Sequence, residues 1–144
     1  MKPLPMLAAV LWLPLPVLSF PLTPDALPTN LYGSYGPGGD CLARPLVSLD
    51  DGGLYLVSGD QRSRFEAVEV CLSCAGGVRY EGIEVWLSPQ VADHHALHFR
   101  FNAGEQPGRL EVEDPGNVEP GPSLSTVAAA SPYHRCGPPA QPAT

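Results

Sequence analysis

Short runs of alternating apolar and polar residues, separated by turn-forming residues, constrain this chain most. In the run from Ala96 to Asn102, Leu97, Phe99 and Phe101 alternate with polar residues. Since successive side chains of a strand point to opposite faces, this pattern predicts a strand with one buried face. Similar runs lie at residues 45–49, 54–58, 65–72, 83–87 and 109–113. Their spacing of about ten residues predicts a mainly β fold, a small antiparallel barrel or sandwich of about six to eight strands.

The beginning of the chain has the composition of a signal peptide. Lys2 supplies a positive charge, and residues 4–18 form an uncharged, mostly apolar stretch. A transmembrane helix needs about 20 apolar residues, whereas this stretch is shorter and is broken by Pro14 and Pro16. We therefore expect a signal peptide over residues 1–19, no membrane span after its cleavage, and a periplasmic or secreted protein.

The remaining composition divides the chain into three parts. Residues 20–35 are proline-rich and predict an extended N-terminal arm, and residues 36–136 contain the predicted β-domain. Near the end of this domain, residues 123–130 favour a short helical turn, which the following Ser-Pro pair ends. Residues 137–144 contain three prolines and predict a disordered tail.

An excess of acidic side chains limits the classes of partner. The chain has 15 Asp and Glu against 8 Lys and Arg, a formal net charge of −7. Because nucleic-acid binding needs a basic face that displaces phosphate counterions, we expect no nucleic-acid partner. The charge favours steering toward a basic protein instead. We expect a monomer without a cofactor.

Four cysteines predict that disulfides tie the domain. Cys41, Cys71, Cys74 and Cys136 allow three pairings, and disulfides persist outside the cytoplasm. Cys71 and Cys74 have the spacing of thiol oxidoreductases, in which the pair opens a helix that lowers the pKa of the first thiol. Here the pair ends a predicted strand and enters a glycine turn, so we interpret it as a local disulfide. Cys41 and Cys136 then remain as a second pair, and a four-cysteine zinc site is the less favoured alternative.

A group of histidines is the candidate metal site. His94, His95 and His98 lie close together in the sequence, with Asp93 beside them. Zinc binds neutral imidazole nitrogens in tetrahedral sets, usually helped by a carboxylate. If the strand begins at Ala96, however, His98 lies on its polar face and His95 lies outside it. Exposed polar positions are therefore the favoured interpretation of the cluster, and a metal-binding protein or enzyme is the alternative hypothesis.

Motifs for catalysis are otherwise missing from the sequence. It contains no phosphate-binding loop, dinucleotide fingerprint or nucleophile elbow. We therefore expect a binding protein without catalytic activity. A structural component of the cell envelope is a further alternative, which predicts an extended apolar patch on the β-domain.

Three blocks of the sequence resemble a group of small exported proteins from Gram-negative bacteria. The blocks are Tyr35-Gly36-Pro37-Gly38-Gly39-Asp40-Cys41, Phe101-Asn102-Ala103-Gly104-Glu105-Gln106-Pro107-Gly108 and Ser131-Pro132-Tyr133-His134-Arg135-Cys136. The resemblance covers roughly residues 31 to 136. It supports the pairing of Cys41 with Cys136, because both lie in matching blocks, and it implies no particular activity.

One loop and the strand after it carry a second resemblance, to bacterial inhibitors of animal-type lysozyme: Gly76-Gly77-Val78-Arg79-Tyr80 followed by Ile83-Glu84-Val85-Trp86. In that family a Ser-Gly-x-x-Tyr loop enters the lysozyme cleft, and a nearby lysine faces the catalytic acids. Gly77 and Tyr80 match this pattern, whereas Gly76 replaces the serine. Lys2 is the only lysine, which leaves Arg79 as the substitute cation. The resemblance implies an exported antiparallel barrel that binds a basic protein such as a lysozyme through residues 76–80.

Overall fold

The structure, a computed structural model, describes residue 3 and residues 26–91, 94–117, 119 and 121–137. Most of the predicted signal peptide, the first part of the predicted arm and the predicted tail beyond residue 137 lie outside these residues. None of the helices in the described ranges is long and apolar enough to span a membrane.

Ten strands, one α-helix and two short 3-10 turns form the described part of the chain. The strands are β1 (Gly33–Pro37), β2 (Leu46–Asp50), β3 (Gly53–Ser58), β4 (Gln61–Arg64), β5 (Val68–Cys71), β6 (Val85–Val91), β7 (His94–His95), β8 (His98–Phe101), β9 (Arg109–Glu113) and β10 (Tyr133–Arg135). The helix α1 spans Pro122–Ala129, and the 3-10 turns span Thr29–Leu31 and Ala103–Glu105.

The strands form one antiparallel sheet that curls into a half-barrel. Its order is β4-β3-β2-β1-β10-β9-β8-β6-β5, and β7 pairs with β6. The end strands β4 and β5 are consecutive in the chain and separated by residues 65–67 alone. Phe65 N–H donates to the Leu54 carbonyl of β3, and Gln90 N–H of β6 donates to the Ala67 carbonyl. This short segment therefore draws the two ends of the sheet toward each other.

The sequence prediction of a mainly antiparallel β fold with disulfides and a short C-terminal helix is confirmed. The structure has ten strands where six to eight were predicted, because β1, β4, β7 and β10 lack a clear alternating pattern. The arm predicted over residues 20–35 is also too long. β1 begins at Gly33, and Tyr35 lies fully buried between β2 and β10, opposite Val47 and Arg135.

The core lies inside the curl. Its largest fully buried side chains are Tyr35, Tyr133, Phe99, Phe101, Leu31, Leu49, Leu54, Leu87, Leu97, Leu110, Val47 and Val127. The predicted alternation of Leu97, Phe99 and Phe101 is thus confirmed. Ile83, which the sequence places on the same buried face as Val85 and Leu87, is instead 42% exposed. It precedes β6, and a hydrogen bond from its amide to Glu105 holds it in the loop.

Both disulfides favoured from the sequence are present, Cys41–Cys136 and Cys71–Cys74. For the first bond, the segment after β1 folds back over Gly36. A Cβ atom on Gly36 would overlap the backbone carbonyl group of Asp40 and meet the Cα of Cys41 at 3.0 Å. A glycine is therefore required at this position, which explains part of the first sequence block.

Candidate functional site

The loop between β5 and β6, residues 72–84, contains the longest exposed run in the described part of the chain. Residues 72–79 are all exposed. Within them, Leu72 is 63% and Val78 is 97% exposed. Arg79 is exposed next to Val78. This β5–β6 loop contains every residue of the predicted binding site, and it presents an apolar side chain and a cation side by side.

The first half of the β5–β6 loop is held by its own turn. The Cys71–Cys74 disulfide joins Cα atoms 5.6 Å apart. Gly77 N–H donates to the Ser73 carbonyl at 2.7 Å, and Tyr80 N–H donates to the Gly77 carbonyl at 2.9 Å. These bonds form two successive turns, and no residue from 72 to 79 is buried against the core.

The second half of the β5–β6 loop is held by the turn between β8 and β9. The carboxylate of Glu105 accepts hydrogen bonds from the Tyr80 hydroxyl and from Ile83 N–H, the latter at 2.8 Å. Asn102 Nδ2 donates to the Ile83 carbonyl at 3.2 Å. Asn102 and Glu105 adopt φ angles of 54° and 63°, a left-handed conformation that costs energy in residues other than glycine. The strained turn thus positions a carboxylate against the loop.

Glu84, at the end of the loop, links it to the sheet. Its side chain is 5% exposed and accepts bonds of 2.8 Å from Arg100 Nε, Trp86 Nε1 and Gly104 N–H. Burial acts to raise the pKa of Glu84, but the bonds from Arg100, Gly104 and Trp86 outweigh it and lower the pKa below 4.5. Glu84 is therefore a buried, charged anchor, because its partners stabilise the ionised form.

The structure gives Gly76 and Tyr80 a supporting role. A Cβ atom on Gly76 would lie 2.7 Å from the Tyr80 ring, so the serine of the lysozyme inhibitors does not fit here without moving the ring. The Tyr80 hydroxyl bonds to Glu105 and accepts from Glu84 N–H at 2.9 Å. Because this hydroxyl is occupied within the protein, Val78 and Arg79 are the side chains of the predicted site that face outward.

The histidines of the predicted metal cluster lie on another part of the surface. His95 Nε2 is 2.8 Å from a Glu69 oxygen, and His98 Nδ1 is 2.7 Å from Ser88 Oγ. The two rings are 5.7 Å apart, and His94 is exposed. Among the described residues, which exclude Asp93, no group of three His, Cys, Asp or Glu side chains is arranged to hold a metal ion. The structure thus joins His95 and His98 by ring contact, and each ring bonds to a different polar neighbour.

His98 is the histidine whose environment changes its titration. Burial lowers its pKa, as does the charge of His95, while Glu113 and Glu69 act in the opposite direction. The net effect is a pKa below 6.5. His98 thus remains neutral in the folded protein over a pH range in which an exposed histidine becomes charged.

Comparison with known proteins identifies no relative. The chain matches no family model, no curated protein and no solved structure.

Exposed apolar side chains are concentrated at the β5–β6 loop. In the described part of the chain, the large exposed ones are Leu42, Leu72, Val78, Ile83 and Val91. Three of these five belong to the loop. The outer face of β5, β6, β8 and β9 carries polar side chains instead, among them Glu69, Ser88, Arg100 and Glu111. Among the described residues, large exposed apolar side chains thus lie mainly on this loop and not on the outer face of these strands.

Sequence reasoning missed the residues that support the loop. Asn102 and Glu105 lie in the second block of the first resemblance, and Glu84 lies in the strand of the second. No motif assigns a role to any of the three. An available signal was the Asn-Ala-Gly-Glu stretch after the clearest strand, since Asn and Gly favour left-handed turns. Its contact with residues 80–84 depends on the pairing of β6 with β8, which the sequence does not reveal.

Proposed function

We propose that this protein is an exported binding module that engages a basic protein through the β5–β6 loop, with an animal-type lysozyme as a partner of this class. The observation that carries the proposal is the combination of eight consecutive exposed residues, 72–79, with hydrogen-bonded anchors at both ends. The two disulfides support a location in an oxidising compartment.

Rigid ends favour binding because they reduce the entropy lost on association. A flexible loop must be ordered when it meets a partner, which costs roughly 0.5–1.5 kcal/mol for each immobilised flexible side chain. The Cys71–Cys74 bond and the Glu105 contacts order the backbone on both sides of Val78 and Arg79 beforehand. An exposed valine beside an exposed arginine then fits a partner surface with an apolar recess next to a carboxylate.

Charge supports a basic partner. The formal net charge of the chain is −7, and Glu81 and Glu105 are exposed close to the loop tip. Opposite net charges raise the rate of encounter, and salt screens this effect over a Debye length of about 8 Å at physiological ionic strength. Arg79 provides a local positive charge within this acidic field, so the proposed partner is basic overall and has an acid in its contact region.

The test is inhibition of an animal lysozyme by the purified, disulfide-bonded protein. We expect cell lysis to be reduced when the protein is in micromolar excess, and the inhibition to weaken as salt concentration rises. Val78→Ser should weaken inhibition on the order of tenfold, because the tip loses its apolar contact. Arg79→Ser should have a similar effect through the lost carboxylate contact.

Leu42→Ser is the matched control. Leu42 is 92% exposed, almost as much as Val78, but belongs to a different loop. The Leu42→Ser variant should inhibit lysozyme as strongly as the unchanged protein. Undiminished lysis with the unchanged protein would refute lysozyme as the partner, and equal inhibition by the Val78 and Leu42 variants would refute the role of the loop tip.

A further inference from the structure

The two disulfides of this protein have different structural roles. Cys41–Cys136 joins residues 95 positions apart and ties β10 to the segment after β1, with Cys136 N–H donating to the Ser34 carbonyl at 2.7 Å. Cys71–Cys74 joins residues three positions apart, at the start of the exposed run 72–79. The first bond therefore constrains the whole sheet, and the second constrains one loop.

The surroundings of Cys71–Cys74 favour attack by an external thiol. Cys74 is exposed, and so are Leu72 and Ser73 between the two cysteines. Cys71 is partly buried, and its Sγ lies 3.9 Å from the Ser73 hydroxyl. Because a thiol that leaves as a stabilised thiolate leaves faster, this hydroxyl favours Cys71 as the leaving sulfur and the exposed Cys74 as the sulfur attacked.

The structure also separates the loop from the core. In the exposed run, the turn bonds to the Ser73 carbonyl from Gly76 and Gly77 depend on the local conformation that the disulfide closes. The second half of the loop has its own anchors, Glu105 and Glu84, which do not involve the cysteines. The disulfide is therefore a constraint on residues 72–79 that is separate from the anchors of the second half of the loop.

We propose that Cys71–Cys74 is a reversible thiol–disulfide site, reduced by a dithiol, that controls the order of the β5–β6 loop. A thiolate of the dithiol attacks Cys74 Sγ, which forms a mixed disulfide and releases Cys71 as a thiolate. The second thiol of the reductant then attacks the mixed disulfide and releases Cys74. Two electrons and two protons pass to the protein, and the dithiol becomes a disulfide. In the reverse exchange a disulfide is the oxidant: it takes up two electrons and two protons, becomes two thiols, and the Cys71–Cys74 bond closes again.

The test uses the fully disulfide-bonded protein and dithiothreitol as the dithiol. Aliquots are alkylated during reduction and mapped by mass spectrometry, so that Cys41–Cys136 serves as the internal control. We expect Cys71 and Cys74 to be alkylated on the order of tenfold sooner than the other pair, since exposed bonds are the more reducible. Hydrogen exchange should then accelerate at Gly77 and Tyr80, while the amide of Phe99 in β8 stays protected.

A variant without the loop disulfide gives a second measurement. Cys71→Ser combined with Cys74→Ser should show the same fast exchange at Gly77 and Tyr80 without any reductant. Reduction of Cys41–Cys136 first or at the same time, or unchanged loop exchange after reduction, would overturn the proposal.

Partner binding is a separate readout, and the inference rests on the proposed function only for that consequence. If the disulfide-bonded protein inhibits lysozyme, the reduced protein and the double variant should inhibit on the order of tenfold less. Equal inhibition by the disulfide-bonded and the reduced protein would show that the Cys71–Cys74 bond does not control partner binding. If the disulfide-bonded protein does not inhibit at all, the proposed function fails, while alkylation and exchange still decide the thiol–disulfide site.

Discussion

Gly76 shows how one residue separates this loop from the loop that it resembles. The glycine lies under the Tyr80 ring, and the hydroxyl of that ring is held by Glu105 and by the Glu84 amide. The missing side chain makes room for the ring, so the replacement of serine by glycine is coupled to the inward position of Tyr80. At this position, packing within the loop explains the sequence better than contact with a partner.

Restoring the serine should therefore damage the loop. Gly76→Ser places a Cβ atom 2.7 Å from Tyr80 Cδ2, and the anchored ring has little freedom to move. Overpacking of this kind costs typically about 1–3 kcal/mol. We expect the midpoint of urea unfolding to fall, or hydrogen exchange at Tyr80 to accelerate, with no gain in lysozyme inhibition.

Gly121→Ser is the control for this substitution. No atom lies within 4 Å of a Cβ at Gly121, which precedes α1 as its N-cap. Serine is favoured at an N-cap, so this variant should be as stable as the unchanged protein or slightly more so. If Gly76→Ser left the stability of the protein unchanged and strengthened its inhibition of lysozyme, the supporting role of Tyr80 would be contradicted.

Among the elements, the turn between β8 and β9 has the clearest function. It places Asn102 and Glu105 in left-handed conformations. In this conformation the Glu105 carboxylate accepts hydrogen bonds from the Tyr80 hydroxyl and from Ile83 N–H. Backbone strain persists where surrounding contacts stabilise it. The strain in this turn is explained by the loop that it holds, even though the loop precedes it by about 25 residues in the chain.

Removing the Glu105 carboxylate should loosen the far end of the loop. In Glu105→Ala, Ile83 N–H loses its acceptor and the Tyr80 hydroxyl loses one partner, a loss of roughly 0.5–1.5 kcal/mol for each bond, because water can reach these exposed groups. We expect faster hydrogen exchange at Ile83 and Glu84, with the amide of Val112 in β9 unaffected. Glu105→Gln keeps the shape of the side chain and one carbonyl acceptor. Hydrogen exchange at Ile83 and Glu84 in this variant should therefore be closer to that in the unchanged protein. Equal exchange in all three proteins would show that the turn does not hold the loop.

Local pattern was sufficient to predict some of the strands and not others. β2, β3, β8 and β9 alternate clearly because one face packs on the core. β4 is exposed at all four positions, so no apolar periodicity marks it. β10 has three residues, and β1 contains two glycines and a proline. β1 and β10 pair with each other although they are distant in the sequence, a tertiary effect that propensity does not capture. β4 instead forms a hairpin with β3 at the edge of the sheet.

The candidate site shows the same division. The local disulfide could be predicted because its two cysteines and the glycines after them are adjacent in the sequence. The inward bonds of Tyr80 could not, because they depend on Glu105, which reaches the loop only after β6 and β8 pair. The resemblance assigned the contact to Tyr80, whose hydroxyl is occupied within the protein.

At the scale of the whole molecule, the Cys41–Cys136 bond contributes much of the resistance to unfolding. In the chain-entropy model, closing a loop of this length stabilises the fold by roughly 4–5 kcal/mol, whereas a loop of a few residues gives only about 2 kcal/mol. Domains of this size have about 5–15 kcal/mol in total. Losing the short disulfide is therefore compatible with a folded sheet, which is a condition for its reversible opening.

The free energy of unfolding should also depend on pH. At acid pH, His98 and Glu84 contribute to this dependence. The pKa of His98 lies below 6.5 and that of Glu84 below 4.5 in the folded protein. Each group therefore binds its proton at a higher pH in the unfolded chain, and stability rises with pH wherever the unfolded state binds more protons. The contribution of His98 is complete above pH 6.5 and is lost as pH falls through its folded pKa. That of Glu84 is lost in the same way below pH 4.5.

At alkaline pH the change of stability with pH has the opposite sign. Burial raises the pKa of Tyr133 from 10.0 to about 12, and its hydroxyl donates to the Val127 carbonyl in α1. The unfolded chain releases this proton first, so stability is complete below pH 10.0 and is lost as pH rises toward about 12. A buried tyrosine between the sheet and α1 thus limits stability at high pH.

Urea unfolding midpoints, measured in steps of about half a pH unit, test this dependence. We expect a plateau between pH 6.5 and 10.0 and a decline on both sides. His98→Gln retains a polar partner for Ser88 but removes the titration, so its midpoint should stay level from pH 6.5 down to 4.5 and fall only below that. The same decline in the variant as in the unchanged protein would mean that other groups cause it. A level midpoint followed by a fall below pH 4.5 would place the first step at His98 and leave the second to Glu84, the buried carboxylate that joins the β5–β6 loop to the sheet.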